Sequence, residues 1–231
     1  MPHNPGGLIT RRYLNAIRPA GGTLIPPETS VIWDIANPGA DRYTYSDGDQ
    51  TATFGAGPAH GVTSVISATS HNSGKRYIEI DQTISAYFGL GVREDVGLTT
   101  SFPLLFGGSG VDPVNGIGLR QKQNIFRAGA NLGNLIAAGP VGALITVCVA
   151  VDIDTGRIWF RVNGGSWGGG AFAVGDPATD TNPIATLAPG STLYPFASYE
   201  DGVEPTVSTV HGNSANIAYP VPSGFSVWGA P

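Results

Sequence analysis

The chain has 231 residues, of which 34 are glycine and 18 proline. That is close to twice the average share, and it excludes a helical bundle or a coiled coil. Hydrophobic residues still make up 41 %, enough for a buried core, and the length suits one sandwich domain with an N-terminal appendage. Lys and Arg number 12 against 17 Asp and Glu, a net charge of −5. With only Lys75 and Lys122 as lysines, the chain lacks the basic face that nucleic-acid binding requires. The single cysteine, Cys148, excludes an intrachain disulfide and a cysteine-based zinc site.

Residues 1–30 read as a separate unit. Arg11, Arg12 and Arg18 stand against Glu28, which makes this stretch basic and the rest of the chain more acidic. Ile9, Tyr13 and Ile17 recur at i, i+4 and i+8, the spacing of one face of a short helix. Pro19, Gly21, Gly22, Pro26 and Pro27 then break the chain. No apolar run has signal-peptide length. The stretch is either a surface-hugging tail or an arm that docks on another subunit. Arg11, Arg12, Tyr13 and Arg18 are the expected docking residues.

From Val31 to Pro231 the pattern is all-β: short β-branched and aromatic runs alternate with Gly, Pro, Asn and Asp clusters. Val62, Ser64, Ile66 and Ala68 alternate with Thr63, Val65 and Ser67. Arg76, Ile78 and Ile80 alternate with Tyr77, Glu79 and Asp81. Ala86, Phe88, Leu90 and Val92 share one face. Gln123–Ile136 has room for one helical turn at most. The longest apolar stretch, Leu135–Val151, contains Gly139, Pro140, Gly142 and Thr146, so it predicts a turn and a buried strand, with no membrane insertion. The clearest hairpin spans Leu144–Val162. Ile145, Val147, Val149, Val151 and Ile153 point to one side, Asp154-Thr155-Gly156 turns, and Ile158, Phe160 and Val162 return inward. Arg157, Trp159 and Arg161 face the other way. Further strands are expected at Thr192–Ser198, Thr206–His211 and near Phe225–Trp228. Two long loops, Glu94–Asn115 and Gly168–Pro189, remain. The whole reads as a two-sheet antiparallel β-sandwich.

Several strings in this pattern together resemble one family. They are Trp33-Asp34, Gly74-Lys75-Arg76-Tyr77-Ile78-Glu79-Ile80, Gly89-Leu90-Gly91-Val92, Val149–Phe160 followed by Asn163-Gly164, Leu193–Ser198, and Pro222-Ser223-Gly224-Phe225. In order and spacing they resemble the strands of SPRY domains over residues 31–229. Residues 94–143 depart from that pattern, apart from Gly116-Ile117-Gly118-Leu119. The resemblance implies a concanavalin A-like sandwich that binds rather than catalyses. The Gly-, Ala- and Thr-rich composition and the short arm are most similar to the SPRY-like group of bacteriophage virion proteins. No ligand residue carries over, because the binding loops of animal members match nothing here.

Motifs that could carry chemistry have bland readings. Asp152 and Asp154 form D-x-D-x-G without the downstream acidic ligands of a calcium loop, so a turn is expected. Gly164-Gly165-Ser166-Trp167-Gly168 matches the G-x-S-x-G elbow, but Gly169 and Gly170 follow where a helix should start. His3, His60, His71 and His211 show no metal spacing. Asp47/Asp49, Glu94/Asp95 and Glu200/Asp201 sit in turn-like text and read as solvated loop charges rather than glycosidase pairs. Cys148, between Val147 and Val149, reads as a buried inert thiol. Trp167 follows an Asn-Gly-Gly turn and is expected either to contact a ligand or to fold back over the sandwich end. Tyr199, Glu200 and Asp201 form a second candidate contact.

The expected function is therefore that of a non-enzymatic phage structural protein, a decoration, fibre or collar component. It would be assembled in the bacterial host cytoplasm and attached to other virion proteins through residues 1–30. It would be a homo-oligomer, with no cofactor, no metal and no nucleic acid. The alternative is a tail-fibre module of lectin type that binds a cell-surface glycan or protein receptor. A polysaccharide hydrolase would require two carboxylates converging in a groove.

Overall fold

The protein was analysed as a computed structural model, which describes residues 27–36, 43–54, 63–84, 88–93, 116–120, 124–128, 130–135, 140, 142–199 and 206–231. The hairpin at its centre follows from sequence. β9 (Leu144–Asp152) pairs antiparallel with β10 (Arg157–Val162), and Trp159 stands opposite Ala150. The turn needs Gly156 at φ +74, because a Cβ there would lie 2.1 Å from the Leu187 carbonyl oxygen. β4 (Lys75–Thr83) lies on the other side of β9 in a nine-residue register from Lys75 opposite Asp152 to Thr83 opposite Leu144.

Around this centre, the sheet continues through β15 (Thr206–His211), β2 (Thr51–Phe54) and β1 (Tyr43–Ser46) on one side. On the other side it ends at β13 (Ala185–Thr186). β16 (Ser226–Val227) adds to β4 in parallel, which makes this sheet eight-stranded. The second sheet has six strands in the order β3 (Thr63–Ile66), β14 (Tyr194–Tyr199), β5 (Phe88–Arg93), β6 (Gly116–Arg120), β7 (Asn124–Arg127) and β8 (Ala130–Asn134).

One core fills the space between the sheets. Ile78, Ile80, Val147, Val149, Val151, Ile158 and Phe160 from the larger sheet meet Val65, Leu90, Val92, Ile117, Leu119, Ile125 and Ala197 from the smaller. The alternation over 144–162 thus places its residues as expected, and the fold is an all-β antiparallel sandwich. Trp33, bridged to Ser67, is buried in the same core and donates its indole N–H to the Ser208 carbonyl at 3.2 Å.

Two segments hold strands that the sequence pattern does not announce. The 123–136 stretch holds no helical turn in its described part: it is the β7–β8 hairpin, with a register shift between Ile125 and Phe126 that bulges the edge strand. Such a bulge shields an open sheet edge from pairing. The 168–189 stretch is not a plain loop. β11 (Trp167–Gly169) and β12 (Phe172–Gly175) form a hairpin, a 3-10 turn at Pro177–Thr179 follows, and β13 ends the stretch. Its glycines are structural. A Cβ on Gly168 would sit 2.4 Å from the Ala173 oxygen, and one on Gly170 would sit 2.2 Å from the Asn134 oxygen. The 94–115 loop lies outside the described residues.

Glycine also shapes the smaller sheet. Gly118 stands opposite both Gly91 and Phe126, and Gly91 opposite Phe196. The Phe196 ring reaches across Gly91, so a Cβ on Gly118 would approach its Cζ to 2.8 Å and the Leu90 oxygen to 2.6 Å. An aromatic laid over glycines restores the packing that those glycines lack.

Candidate binding surface on the larger sheet

Residues that face one another across a sheet share a face and lie about 5 Å apart. The register therefore gives the outer face of the larger sheet row by row. Lys75, Asp152 and Arg157 form one row, and Tyr77, Ala150 and Trp159 the next. His211, Glu79, Cys148 and Arg161 form a third, and Ser46, Thr51, Thr209, Asp81 and Thr146 a fourth. Thr44, Thr53 and Val207, with Thr83 and Leu144 further along, form the fifth.

The Tyr77 row and the inner part of the His211 row are covered. Tyr77, Cys148, Ala150 and Trp159 are all 0 % exposed, packed under Trp167, Ile217, Tyr219, Val221 and Phe225. Trp167 comes from β11, and the other four belong to a strap that returns from the end of β15 towards β16; a buried carboxylate holds the strap's backbone. Glu79, 0 % exposed, accepts from the Tyr77 hydroxyl at 2.5 Å, from Ala218 N at 2.8 Å and from Tyr219 N at 2.9 Å. Arg161 donates to the Pro220 carbonyl at 2.7 Å and to the Tyr77 hydroxyl at 3.2 Å. Its guanidinium lies 4.4 Å from the centre of the Trp167 ring and 5.9 Å from those of Tyr77 and Tyr219. Cation–π contact in such a desolvated place contributes on the order of 1–2 kcal/mol. Burial pushes the Tyr77 phenol far above its ordinary range and raises the Cys148 thiol. Burial opposes the charge of Arg161, yet the Tyr77 hydroxyl beside it raises its pKa further. Cys148 is thus a buried protonated thiol without nucleophilic character.

Several other titratable groups among the described residues are engaged in structure. Asp81 accepts from Thr146 Oγ1 at 2.6 Å and faces His211 Nε2 at 3.0 Å. Burial opposes its charge, but those two partners hold its pKa below the ordinary value. The aspartate stands between the threonine and the histidine, so the histidine cannot take the hydroxyl proton, as the order nucleophile–base–orienter demands. Asp152 accepts from Thr155 N at 3.2 Å and Asp154 from Gly74 N at 3.0 Å, which makes both carboxylates part of turns. His71 meets the Trp228 carbonyl at 2.6 Å, and burial lowers its pKa. Asp47 accepts from Thr51 Oγ1 at 2.8 Å within the β1–β2 turn. Ser166 is exposed and is followed by β11, so the elbow string lacks its helix.

Of the residues singled out in the sequence, Trp167 is half-buried. It lies edge-on to Tyr77, with ring centres 6.2 Å apart, and covers Arg161. Tyr199 ends β14, where its backbone pairs with Thr63 and Phe88. Glu200, Asp201, Arg11, Arg12, Tyr13 and Arg18, like His3 and His60, lie outside the described residues. Within residues 1–30, Thr29 N donates to the Gly229 oxygen at 2.8 Å, and Glu28 accepts from Ser214 N at 2.8 Å. Sequence reading missed Glu79, Tyr77 and Arg161 as a cluster. The signal available was the unbroken apolar run Val147-Cys148-Val149-Ala150-Val151, which marks a strand covered on both faces.

No family model matches the chain, and no curated protein matches it. Among solved structures, the SPRY domain of human HERC1 is similar at 14 % identity and a TM-score of 0.49, covering 73 % of this chain and 91 % of that one. The PSpry domain of TRIM65 is similar at 18 % identity and a TM-score of 0.49, covering 80 % of this chain and 93 % of that one. The sandwich class itself rests on the sheet order and the shared core described above.

Proposed function

We propose that this chain is a non-enzymatic structural protein of a bacteriophage virion, built as a SPRY-like sandwich and attached to other virion proteins through residues 1–30. One observation carries the binding reading: the charged groups on the larger sheet are engaged by turns, strap and neighbouring strands, while part of its outer face stays open. Glu79 and Arg161 hold the strap, and Asp81, Asp152 and Asp154 hold strands and turns together. The SPRY-like reading draws on the sequence strings, and the phage assignment on the composition and the short arm. Its test is assembly. Virus particles assembled with the intact chain are expected to contain it, and particles assembled with the Arg11→Glu, Arg12→Glu, Arg18→Glu variant are expected to lack it. Retention of that variant at the unsubstituted level overturns attachment through the arm.

A second reading, glycan binding in a tail fibre, draws on Trp167. Its half-exposed ring is fixed by Tyr77 and Arg161, and an oriented aromatic is a stacking platform for a sugar face. A glycan array probed with the intact chain and with Trp167→Ala tests it. An array with no binding of the intact chain overturns this reading.

A further inference from the structure

The outer face of the larger sheet is only partly covered by the strap. The fourth and fifth rows, Ser46–Thr51–Thr209–Asp81–Thr146 and Thr44–Thr53–Val207 with Thr83 and Leu144, lie beyond it. Leu144 is 63 % exposed, Thr44 and Ser46 are exposed, and Thr53, Thr83 and Val207 are partly so. This half carries small hydroxyl side chains around two aliphatic ones. Its charge is one-sided. Asp47 and Asp49 sit in the turn beside it and Asp81 within it, and β1, β2, β15, Asp81–Thr83 and Leu144–Thr146 contain no Lys or Arg.

The chain enters the sandwich near the C-terminal end of β15, on the strap side of this half. Thr29 is bonded to Gly229 and Glu28 to Ser214. Gly229 N donates to the Gly212 oxygen at 2.7 Å, and Gly212 directly follows His211, the last residue of β15. The 26 residues that precede Pro27 thus join the sandwich near the end of β15 that lies away from Val207. They hold Arg11, Arg12 and Arg18 with no acidic residue, and the spaced apolar residues Ile9, Tyr13 and Ile17. A basic segment with an apolar stripe complements an acidic face with an exposed leucine and a partly exposed valine.

We propose that residues 1–26 of one copy dock on this open half of the larger sheet in a second copy, with Ile9, Tyr13 and Ile17 against Leu144 and Val207 and the arginines towards Asp47, Asp49 and Asp81. The proposal rests on the reading of residues 1–30 as an arm. Mutual exchange of arms buries the same two surfaces on both copies and closes as a two-fold assembly.

The experiment uses the full chain, with mass read by light scattering after size exclusion. The unsubstituted chain is expected to run at twice its 23.8 kDa or more. The Arg11→Glu, Arg12→Glu, Arg18→Glu variant and the Leu144→Glu, Val207→Glu variant are each expected to run as monomers with unchanged circular dichroism. A chain carrying Ile17→Cys, mixed with one carrying Thr83→Cys, is expected to give a disulfide-linked pair on a non-reducing gel; the buried Cys148 stays silent. If the arm variant is monomeric while the face variant remains assembled, the arm stands and this docking site is overturned. If both substituted cysteines placed in one chain link only within it, the arm lies on its own sandwich and the exchange is overturned. A monomeric unsubstituted chain also overturns the exchange, and leaves attachment to a different virion protein to be decided by the particle experiment above.

Discussion

The two halves of one sheet face differ in what the chain does after it leaves β15. Over Tyr77, Cys148, Ala150 and Trp159 it returns as a strap, and those residues are as buried as the sandwich core. Over Thr44, Thr53, Val207 and Leu144 it does not return, and side chains remain open. β4 and β9 run beneath both halves. Which face of a strand is inside is therefore not a property of the strand alone; the covering segment decides it. Composition follows the division: aromatic and apolar residues under the strap, hydroxyl residues beyond it.

The largest way to break this comparison is at Glu79. Alanine there leaves the Tyr77 hydroxyl and the amides of Ala218 and Tyr219 without their shared acceptor. Hydrogen bonds to a charged group contribute about 1.5–3 kcal/mol, and orphaned buried partners add to the loss. Glu79→Ala is expected to destabilise by about 3 kcal/mol, roughly 6–12 °C in melting temperature for a chain of this size. Thr53→Ala, on the open half of the same face, is expected to stay within about 0.5 kcal/mol. Urea unfolding of both variants checks the pair. Equal midpoints would mean that the carboxylate does not hold the strap.

A second perturbation belongs to the smaller sheet, where glycine replaces the strap as the device that controls packing. Gly118→Ala puts a methyl group 2.6 Å from the Leu90 oxygen and 2.8 Å from the Phe196 ring. Overpacking of this kind costs about 1–3 kcal/mol. The double variant Gly118→Ala, Phe196→Leu is expected to recover part of that loss, read as a coupling in a thermal double-mutant cycle. Strict additivity would remove the Phe196 ring as the cause.

Much of this is legible in the sequence alone. The alternation over 144–162 placed each residue of the central hairpin, because Ile, Val and Phe at every second position leave one register that buries them. Glu79 stood in the Gly74–Ile80 string, but its partners come from Ala218 and Tyr219, 139 and 140 residues away. No local pattern reports a contact of that separation. The strap was hidden because its backbone, rather than a side-chain period, is what Glu79 and Arg161 grip. The β11–β12 hairpin reads as loop in the sequence for a related reason. Gly168 and Gly170 look like breakers, yet each is required by a carbonyl oxygen about 2 Å from where its Cβ would stand. Trp167 was seen as an aromatic on a turn, but its rest on Arg161 depends on the β10 register.

Acid should act in two steps, first at His71 and then at Asp81. His71 lies at the C-terminal end of the strap, against Trp228, and burial lowers its pKa from 6.5. The unfolded chain then takes up the proton first, so this contribution to stability is full above pH 6.5 and is lost as pH falls towards the folded value. Asp81 lies on the open half, and its folded pKa is held below 3.8 by His211 and Thr146 against the effect of burial. Its contribution is full above that value and is lost only as pH falls through the folded one. Denaturant midpoints are expected to decline first below pH 6.5 and again below pH 3.8. His71→Asn should flatten the first decline alone, and Asp81→Asn the second. A single decline insensitive to His71 would separate the strap's end from any acid response.

The smallest expected effect is the most informative about the open half. Leu144 is 63 % exposed, so Leu144→Gln removes little apolar surface from the folded core and should change stability by no more than about 0.5 kcal/mol. Its inward neighbour Ile145, 5 % exposed, gives the opposite: Ile145→Ala empties core volume and should cost about 2–5 kcal/mol. Two adjacent residues of one strand then report on two different surfaces. An exposed leucine that can be replaced without loss of stability is not held in place by folding. If Leu144→Gln unfolds the chain as readily as Ile145→Ala, the face counted as open is instead part of the core. If it leaves the midpoint unchanged, any loss of assembly in that variant belongs to contact between copies.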